Sequence, residues 1–526
     1  MPSESSRQSD APFAIPAKLK LFLGCALIAI ACFVAYSPAI KGGFVWDDDK
    51  YVTGNPLLPA HDGLWRIWFS TDAPSQYFPL AYTTFWFEYR LWGLNPLPYH
   101  LANVAIHVIS SLLLWLVLRR LLVPAAFVTA AIFALHPVNV ESVAWISERK
   151  NVLMLVFALL SVLFYVEFAL RSQTTRRAVA FYMLSLFCYV LSLFSKTTAC
   201  VLPVVLILIL WLKKVPLNKG RLFQIAPYFI FGFAMGLLTI WWEKHHQLLV
   251  LINLGLSPLQ RFLISTRALW FYAAKIFLPV NLAFSYPRWK IDTSDPLQYV
   301  WPIACFLAAA AFWLGRKRLG RGPVAAVLIF VVVLFPMLGF FDLYTFVYAW
   351  AADHYQYMAC IALIALAASA GRQLLIRLGA TAAKLAPLIA VVLLLVCATL
   401  TWRQSGIYAN PETLWRDTLR KNPDSWLAHN NISRILLAQN KLDEAIFHLT
   451  RSLGLLQTAQ AVHPYNVADA HFNLALALRA RGRYQDAIEH LRRVLDIRPD
   501  DREADYNLRD ILKLQGRLKE AGKPGP

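Results

Sequence analysis

Apolar runs long enough to cross a lipid bilayer recur through most of this 526-residue chain. A membrane-spanning α-helix needs about 20 consecutive, mostly apolar residues. Charged residues make up 16% of the sequence and hydrophobic residues 58%, whereas soluble domains contain about 25% charged and about 45–50% apolar residues. The pattern predicts an all-α, polytopic membrane protein and excludes a disordered chain, a coiled coil and an ordinary soluble enzyme.

Basic clusters in the short connections between the apolar runs indicate the topology. Arg119-Arg120, Lys213-Lys214 and 316–321 are examples, and such clusters mark the cytoplasmic side. We predict about eleven spans within a membrane domain at 18–403, with a flexible, cytoplasmic N-terminus at 1–17. The run at 261–279 is predicted to be a re-entrant or interfacial helix, because a further crossing would move 316–321 to the outside. The predicted spans are 18–39, 99–120, 122–137, 150–170, 178–195, 197–212, 223–242, 299–315, 323–341, 354–371 and 385–402.

The formal net charge of +20 does not indicate a nucleic-acid partner in this chain. In a soluble protein such a charge would favour nucleic acid, but here the basic excess lies in the loops between apolar runs and therefore reports topology. The seven cysteines include no C-x-x-C spacing. Neither a structural zinc site nor a disulfide framework is indicated.

The polar C-terminal part carries a repeat. The segment Ala468–Asp501 matches the 34-residue tetratricopeptide helix–turn–helix pattern. An earlier copy starts at Trp426, and a partial third copy includes Leu508. We predict tetratricopeptide repeats over 411–526, on the non-cytoplasmic side, with a concave face that binds an acceptor polypeptide or a partner protein. The consensus positions of the clearest copy are Leu474, Ala475, Leu478, Gly482, Tyr484, Ala487, Leu491, Val494 and Pro499.

The first outer loop, 40–98, contains the acidic triplet Asp47-Asp48-Asp49. Three adjacent carboxylates repel one another and raise at least one pKa unless a cation or hydrogen bonds compensate. A carboxylate at the membrane edge can act as a general base for a hydroxyl acceptor or as a metal ligand. A solvated acidic loop is the alternative interpretation, because an acidic triplet alone is a weak motif.

Several blocks of the sequence together resemble a known family. They are FVWDDDKYVTGNPLL, YFPLAYTTFWFEYRLWGLNPLPYHLANVAIHVISSLLL, ALHPVNVESVAWISERKNVL, LSLFSKTTACVLPVVLILILWL and ADHYQY. With the C-terminal repeats, they resemble the transmembrane and tetratricopeptide-repeat-containing O-mannosyltransferase-like proteins of the GT-C glycosyltransferase superfamily. The resemblance covers nearly the whole chain.

The resemblance implies a membrane-embedded site that faces the periplasm or lumen. It implies transfer of a sugar, with mannose the family's best guess, from a polyprenyl- or dolichyl-phosphate carrier to a protein or glycan hydroxyl. Asp47 and Asp48 occupy the place of the family's acidic pair. Asp47 is then the base that deprotonates the acceptor, and Asp48 holds Asp47 or a metal. A direct displacement would invert the anomeric carbon. A divalent cation as cofactor is left open, with Asp47, Asp48 and Glu141 as its ligands.

A lipid-phosphate leaving group requires cations at the membrane face. The candidates are His136, Arg149, Lys150, Lys196 and His354. Each has a structural alternative: a satisfied histidine for His136, an interfacial anchor for Arg149 and Lys150, and a snorkelling or turn lysine for Lys196. Glu141 and Asp353 are predicted to support this set. For Glu141 a structural pairing is favoured over orienting His136 or binding a metal with the aspartate pair, and for Asp353 an N-terminal cap is the alternative.

Two positions depart from the family pattern. Phe78 stands where relatives often carry an arginine, and Asn139 stands where some relatives carry a second histidine. If that arginine contacts the phosphate, this chain must use another cation.

A non-catalytic, membrane-anchored scaffold is the rival hypothesis, in which the repeats alone carry the function by binding other proteins. The short N-terminus and the small number of repeats favour a bacterial inner membrane over an endoplasmic reticulum. In either case the expected partners are membrane lipid, the lipid-phosphate sugar and a polypeptide.

Overall fold

A computed structural model describes residues 16–71, 76–170, 175–246, 254–459 and 462–516. Regular structure in these residues is helical throughout, which confirms the predicted all-α class. Most of the predicted flexible N-terminus (1–15) and the end of the third repeat (517–526) lie outside the described residues.

Among the described residues, an apolar helix or helix pair lies at each predicted span, but not all of them are long enough to cross a membrane. Eight helices among the described residues are long and apolar enough to cross a membrane. The pair Ala126–Leu135 and Pro137–Ala144 forms a ninth when its two parts are taken as one broken span, and Thr197–Leu212 and Arg321–Met337 are shorter apolar helices. Together they occupy the eleven predicted segments. The eight long helices are Lys18–Ala35, Pro96–Arg120, Ile146–Ala169, Arg176–Ser195, Lys219–His246, Pro296–Leu319, Cys360–Arg377 and Ala380–Tyr408.

The break at His136 has a local cause. Pro137 has no amide hydrogen and cannot continue the hydrogen-bond ladder, so the helix axis turns by 53° between Leu135 and Pro137. The Nδ1 atom of His136 accepts a hydrogen bond from the amide of Val138 at 3.3 Å, which caps the short helix that follows. The break directs 137–150 along one end of the bundle instead of straight out of it.

The apolar run at 261–279 forms the amphipathic helix Pro258–Phe277. Ser257 and Gln260 form a capping box at its start. Its inner face packs Ile264, Ala268 and Tyr272 against neighbouring elements, where all three are fully buried. This is the segment for which a re-entrant or interfacial helix is predicted.

The first outer loop is also ordered into helices. Asp49–Thr53 forms one π-helical turn, Gly63–Phe69 a short helix and Pro79–Trp92 a longer one. The side chains of Leu58, Ile67 and Phe85 are fully buried in a cluster of their own. The loop is thus a small packed subdomain that covers one end of the bundle. We call this end the rim: it is the set of helix ends at Ala35, Arg149, Ser195 and His246.

The repeat domain follows the last apolar helix directly and packs on the rim. Lys421 donates a hydrogen bond from Nζ to the carbonyl of Leu282 at 2.6 Å, and the Asn422 amide donates to the carbonyl of Ser285 at 3.1 Å. Trp426 contacts Tyr348 with ring centroids 5.4 Å apart. The repeats are therefore held against the membrane domain rather than carried on a tether. Their helices are Pro411–Lys421, Trp426–Ala438, Leu442–Thr458, Pro464–Ala480, Tyr484–Ile497 and Arg502–Leu514.

Candidate active site

A cleft of about 170 Å³ opens at the rim between the membrane helices, the first outer loop and the first repeat. Its walls combine acidic, basic and aromatic side chains, all from helix ends or loops on this side of the bundle. The ionisable residues that line it are Asp47, Glu141, Glu148, Lys150, Lys196, Glu243 and His354. Five of these seven residues belong to the site predicted from the sequence.

The backbone at Trp46 positions the two aspartates. Trp46 has a φ of 44°, in the left-handed region that a non-glycine residue rarely adopts and that costs about 1–3 kcal/mol. The Trp46 ring stacks on Trp145 at a centroid distance of 5.4 Å and meets Phe284 edge-on at 5.1 Å. These contacts hold the strained turn, which sends the side chains of Asp47 and Asp48 in different directions.

Asp47 faces the cleft. Its side chain is 11% exposed, and the nearest cation, Lys50, lies 3.8 Å from its carboxylate. Burial raises the pKa of Asp47, and Lys50 and Lys150 oppose that rise. A buried carboxylate with a raised pKa is a stronger base than one in water, so Asp47 suits the role of proton acceptor.

Asp48 is turned away from the cleft and is fully buried. One carboxylate oxygen accepts the amide of Val45 at 2.8 Å, and the other accepts both the amide of Ser147, at 2.8 Å, and its hydroxyl. Burial raises the pKa of Asp48 to about 7, against the effect of these hydrogen bonds. Asp48 therefore ties the turn to Ser147 and positions its neighbour, which agrees with the holding role rather than with metal binding.

Lys150 and Lys196 reach the cleft from two different helices and share one carboxylate. The Nζ of Lys150 lies 2.9 Å from Oε1 of Glu148, and the Nζ of Lys196 lies 3.3 Å from its Oε2. Lys196 also donates to the side-chain oxygen of Asn151 at 2.8 Å. Burial lowers the pKa of Lys196 to about 8 although Glu148 opposes this. Two ammonium groups thus converge at one place in the cleft, where an anion can bind them.

His354 and Glu141 form a second buried pair. The Nδ1 of His354 lies 3.1 Å from Oε1 of Glu141, and its backbone amide donates to Oε2 at 3.0 Å. Glu141 is thereby fixed to His354 and not to His136, one of the partners that the sequence suggested for it. The pair adds an imidazole to the same cleft as the two lysines.

Two predicted donor-binding residues lie outside the cleft. Arg149 is 1% exposed and forms an ion pair with Glu88 at 2.7 Å and a hydrogen bond to the carbonyl of Tyr99 at 3.0 Å. His136 donates from Nε2 to the carbonyl of Ile276 at 2.9 Å. Both side chains donate to the protein itself. His136 agrees with its structural alternative, whereas Arg149 is a buried ion-pair partner and not the interfacial anchor of its alternative.

Asp353 also lies outside the cleft lining. Its carboxylate accepts the hydroxyl of Tyr286 at 3.0 Å. Burial raises the pKa of Asp353 strongly, and Glu141 adds to the rise. Asp353, hydrogen-bonded to Tyr286, supports the segment that carries His354. Among the described residues, its side chain forms no hydrogen bond of the N-terminal capping type.

Two cleft residues were missed by sequence reasoning. No motif singled out Glu148, although it is the partner of both lysines. Glu243 lies near the end of an apolar helix, Lys219–His246, and belongs to no recognisable motif. The sequence signal for Glu148 was its position directly before the candidate cations Arg149 and Lys150.

The two departures from the family pattern have different settings. Phe78 lines the cleft, with its ring centroid 5.9 Å from the Nζ of Lys150. Lys150 thus places a cation beside Phe78. Asn139 is fully buried, and its amide donates to the carbonyl of Phe133 at 2.7 Å; it stabilises the break near His136.

The set Asp47, Asp48 and Glu141 does not fit a metal ion. Among the residues with described positions, no group of three or more His, Cys, Asp or Glu side chains is arranged to hold one. Both oxygens of Asp48 already accept protein hydrogen bonds.

Comparison with known proteins gives matches to both parts of the chain. The tetratricopeptide repeat family matches residues 427–500 and, in a second form, 478–523. Protein O-mannosyl-transferase TMTC1 of Homo sapiens is 26% identical over 488 residues, which cover 82% of this chain and 55% of the human protein. A protein O-mannosyl-transferase of Caenorhabditis elegans is 23% identical over 420 residues, which cover 77% of this chain and 58% of the relative.

The chain spans a little more than half the length of these curated relatives. Among solved structures, the crystal structure of ArnT from Cupriavidus metallidurans bound to undecaprenyl phosphate is 15% identical, with a TM-score of 0.38, and the match covers 90% of this chain and 80% of ArnT. The sequence comparisons confirm the resemblance drawn from the motifs: this integral membrane protein carries tetratricopeptide repeats and is similar to the transmembrane, repeat-containing O-mannosyltransferases.

Proposed function

We propose that this chain is a membrane glycosyltransferase that moves a sugar from a polyprenyl-phosphate carrier to a hydroxyl acceptor. The observation that carries the proposal is the meeting of Asp47, Lys150 and Lys196 in one cleft at the rim. A base and a pair of cations are the two groups that such a displacement needs. The similarity to named O-mannosyl-transferases supports mannose as the sugar.

The chemical step is a direct displacement. The carboxylate of Asp47 takes the proton of the acceptor hydroxyl while that oxygen forms a bond to the anomeric carbon. The bond from the anomeric carbon to the phosphate oxygen breaks, and polyprenyl phosphate leaves with the bonding electron pair. Attack from the face opposite the leaving group inverts the anomeric carbon. Proton and charge balance without another reactant.

Glu148 keeps the two lysines in place before the donor binds. Without an anion, two buried ammonium groups would repel each other, and an unpaired buried charge is costly. The Glu148 carboxylate, itself 1% exposed, offsets one charge and leaves the pair with a net positive charge. A lipid phosphate can then bind to the free donors of Lys150 and Lys196, and the same donors stabilise the leaving group.

The acceptor side of the cleft is formed in part by the repeat domain. Leu427 of the first complete repeat lines the cleft with Trp46 and Tyr348. A polypeptide bound along the repeats would reach the cleft without crossing a gap. We therefore propose a polypeptide acceptor, with the rim and repeats on the periplasmic side of a bacterial inner membrane, or on the lumenal side of the endoplasmic reticulum in a eukaryote.

The test compares Asp47→Asn with Asp49→Asn in the full-length protein. Asp49 is the exposed neighbour of the same acidic triplet, so D49N controls for charge and expression. Both variants, and the native protein, are incubated with polyprenyl-phosphate sugars and peptide acceptors, and products are identified by mass spectrometry. D47N should lose transfer by 100-fold or more, on the order of what a general base contributes, and D49N should retain it. Transfer by D47N at the native rate would exclude Asp47 as the base. Absence of transfer by the native protein, with phenotypes only from repeat-surface variants, would favour the scaffold hypothesis.

A further inference from the structure

One wall of the cleft is polar yet holds none of the residues assigned to the base or the phosphate. Gln76, Thr197, Thr239 and Glu243 line it. Thr239 and Glu243 are one turn apart on the helix Lys219–His246, so they share a face. The hydroxyls of Thr197 and Thr239 are 2.7 Å apart and hydrogen-bonded. This wall offers hydrogen-bonding groups to whatever occupies the cleft.

The two carboxylate oxygens of Glu243 differ in their hydrogen bonding among the described residues. Its Oε1 accepts a hydrogen bond from the side-chain amide of Gln76 at 3.1 Å. Its Oε2 is buried and has no hydrogen-bond partner among the described residues. A buried carboxylate oxygen without a donor costs about 1–3 kcal/mol or more, so a molecule bound in the cleft that supplies a donor would be stabilised here.

The position of Glu243 is fixed relative to the lysines. Gln76, which donates to Glu243, accepts a hydrogen bond from the hydroxyl of Tyr51, and that hydroxyl accepts one from the Nζ of Lys150 at 3.3 Å. Glu243 is thus connected to the phosphate-binding lysine through two side chains. In a lipid-phosphate sugar, the sugar ring is bonded directly to the phosphate and must occupy the space next to these lysines.

We propose that Glu243 binds the transferred sugar, with its Oε2 accepting a hydrogen bond from one sugar hydroxyl; this inference rests on the proposed function. A phosphate oxygen cannot be the partner, because like charges repel. A metal ion would need further ligands, and no such group exists among the described residues. A sugar hydroxyl is an uncharged donor of the right kind, and a carboxylate accepts it strongly. Glu243 then acts as a specificity residue for the donor.

The test measures binding rather than transfer, so that it does not depend on turnover. The full-length protein in lipid nanodiscs is titrated with polyprenyl phosphate alone and with polyprenyl phosphate carrying mannose, glucose, galactose or arabinose. The native protein should bind at least one sugar-bearing lipid at least about tenfold more tightly than bare polyprenyl phosphate. This is the difference in affinity that one hydrogen bond to a charged group produces. Glu243→Ala should lose this preference while it keeps the affinity for bare polyprenyl phosphate, and Glu243→Gln should keep part of it because an amide oxygen still accepts.

The controls separate this inference from the proposed function. Lys196→Met should weaken binding of the bare and the sugar-bearing lipids equally, and Glu489→Gln, an exposed glutamate of the repeats, should change neither. An E243A variant that keeps the full sugar preference overturns the inference. An E243A variant that loses affinity for the bare and for the sugar-bearing lipid together also overturns it. Both results leave the proposed function intact. Failure of the native protein to bind any of the lipids overturns both.

Discussion

Asp48 accepts two hydrogen bonds from Ser147, one from its amide at 2.8 Å and one from its hydroxyl, although 99 residues separate them in the chain. Ser147 immediately precedes Glu148, the partner of both lysines, and Asp48 immediately follows Asp47, the proposed base. A single contact therefore links the position of the proposed base to that of the cations proposed to bind phosphate. Since displacement requires both at defined distances from one anomeric carbon, this contact is expected to control the rate.

Weakening this contact should reduce transfer and stability together. Asp48→Asn replaces one acceptor oxygen by an amide group, which cannot accept from Val45 or Ser147. For this variant we expect the free energy of unfolding to fall by about 1–3 kcal/mol and the rate of transfer to fall with it. Ser147→Ala keeps the backbone donor, so its free energy of unfolding should fall by about 1 kcal/mol. Thermal unfolding in detergent and initial rates of transfer measure both effects. A D48N protein with native stability and no transfer would instead mean that Asp48 contacts the reacting atoms.

Arg149 should prove structural. It is paired with Glu88 in a buried site, and removal of one member of such a pair typically costs about 3–5 kcal/mol. Arg149→Met should therefore destabilise the protein severely, while the double variant Arg149→Met/Glu88→Met should recover much of the stability and keep the affinity for polyprenyl phosphate. Unfolding transitions and lipid titrations provide the readouts. A stable double variant that no longer binds the lipid phosphate would show that Arg149 takes part in binding the donor.

Helical geometry explains why Arg149 and Lys150 differ although they are adjacent. Successive residues of an α-helix point about 100° apart, because a turn holds 3.6 residues. Only one of the two can enter the cleft, and the sequence does not say which. The same limit applies to Asp47 and Asp48, whose directions depend on the positive φ of Trp46.

The features that were predictable from the sequence are those that depend on neighbouring residues in the chain. The eleven apolar segments, the repeats and the acidic turn of the first loop follow from hydropathy, period and motif, and the helices lie where these patterns place them. Contacts between distant segments were not predictable: Glu141 pairs with His354, 213 residues away, and not with His136. Such pairings depend on how helices pack, which hydropathy does not encode. The docking of the repeats onto the rim through Lys421 and Asn422 is of the same kind.

The pH dependence of transfer should report Asp47 and Lys196. Asp47 must be deprotonated to act as a base, and since burial raises its pKa, the acid limb should lie above the usual range of an aspartate. Lys196 must be protonated to bind phosphate, and with its pKa lowered to about 8, kcat/KM should fall as the pH rises through that value. Lys196→Arg should move the alkaline limb upward, because arginine stays charged. Profiles of kcat/KM for the two proteins check this, and an unchanged alkaline limb in K196R would assign that limb to another group.

Two histidine pairs make the repeat domain sensitive to acid. The Nδ1 atoms of His429 and His448 are 2.7 Å apart, and those of His471 and His490 are 2.9 Å apart. Each pair is stable only when at least one ring is neutral and accepts the proton of the other. Burial lowers the pKa of all four rings, and that of His471 to about 4.

A histidine with a lowered folded-state pKa contributes stability above its unfolded pKa, and this contribution is lost as the pH falls. The repeats should therefore lose stability between about pH 6.5, the usual histidine pKa, and about pH 4, where His471 titrates. Amide hydrogen exchange of the full-length protein should show faster exchange in Trp426–Ile497 at pH 5 than at pH 7.5, after correction for intrinsic rates, with no comparable change in the helix Pro96–Arg120. The double variant His448→Asn/His490→Asn leaves one imidazole in each pair and should flatten the dependence. Equal pH dependence in the variant and the native protein would show that other groups, and not the histidine pairs, set the acid stability of the repeats.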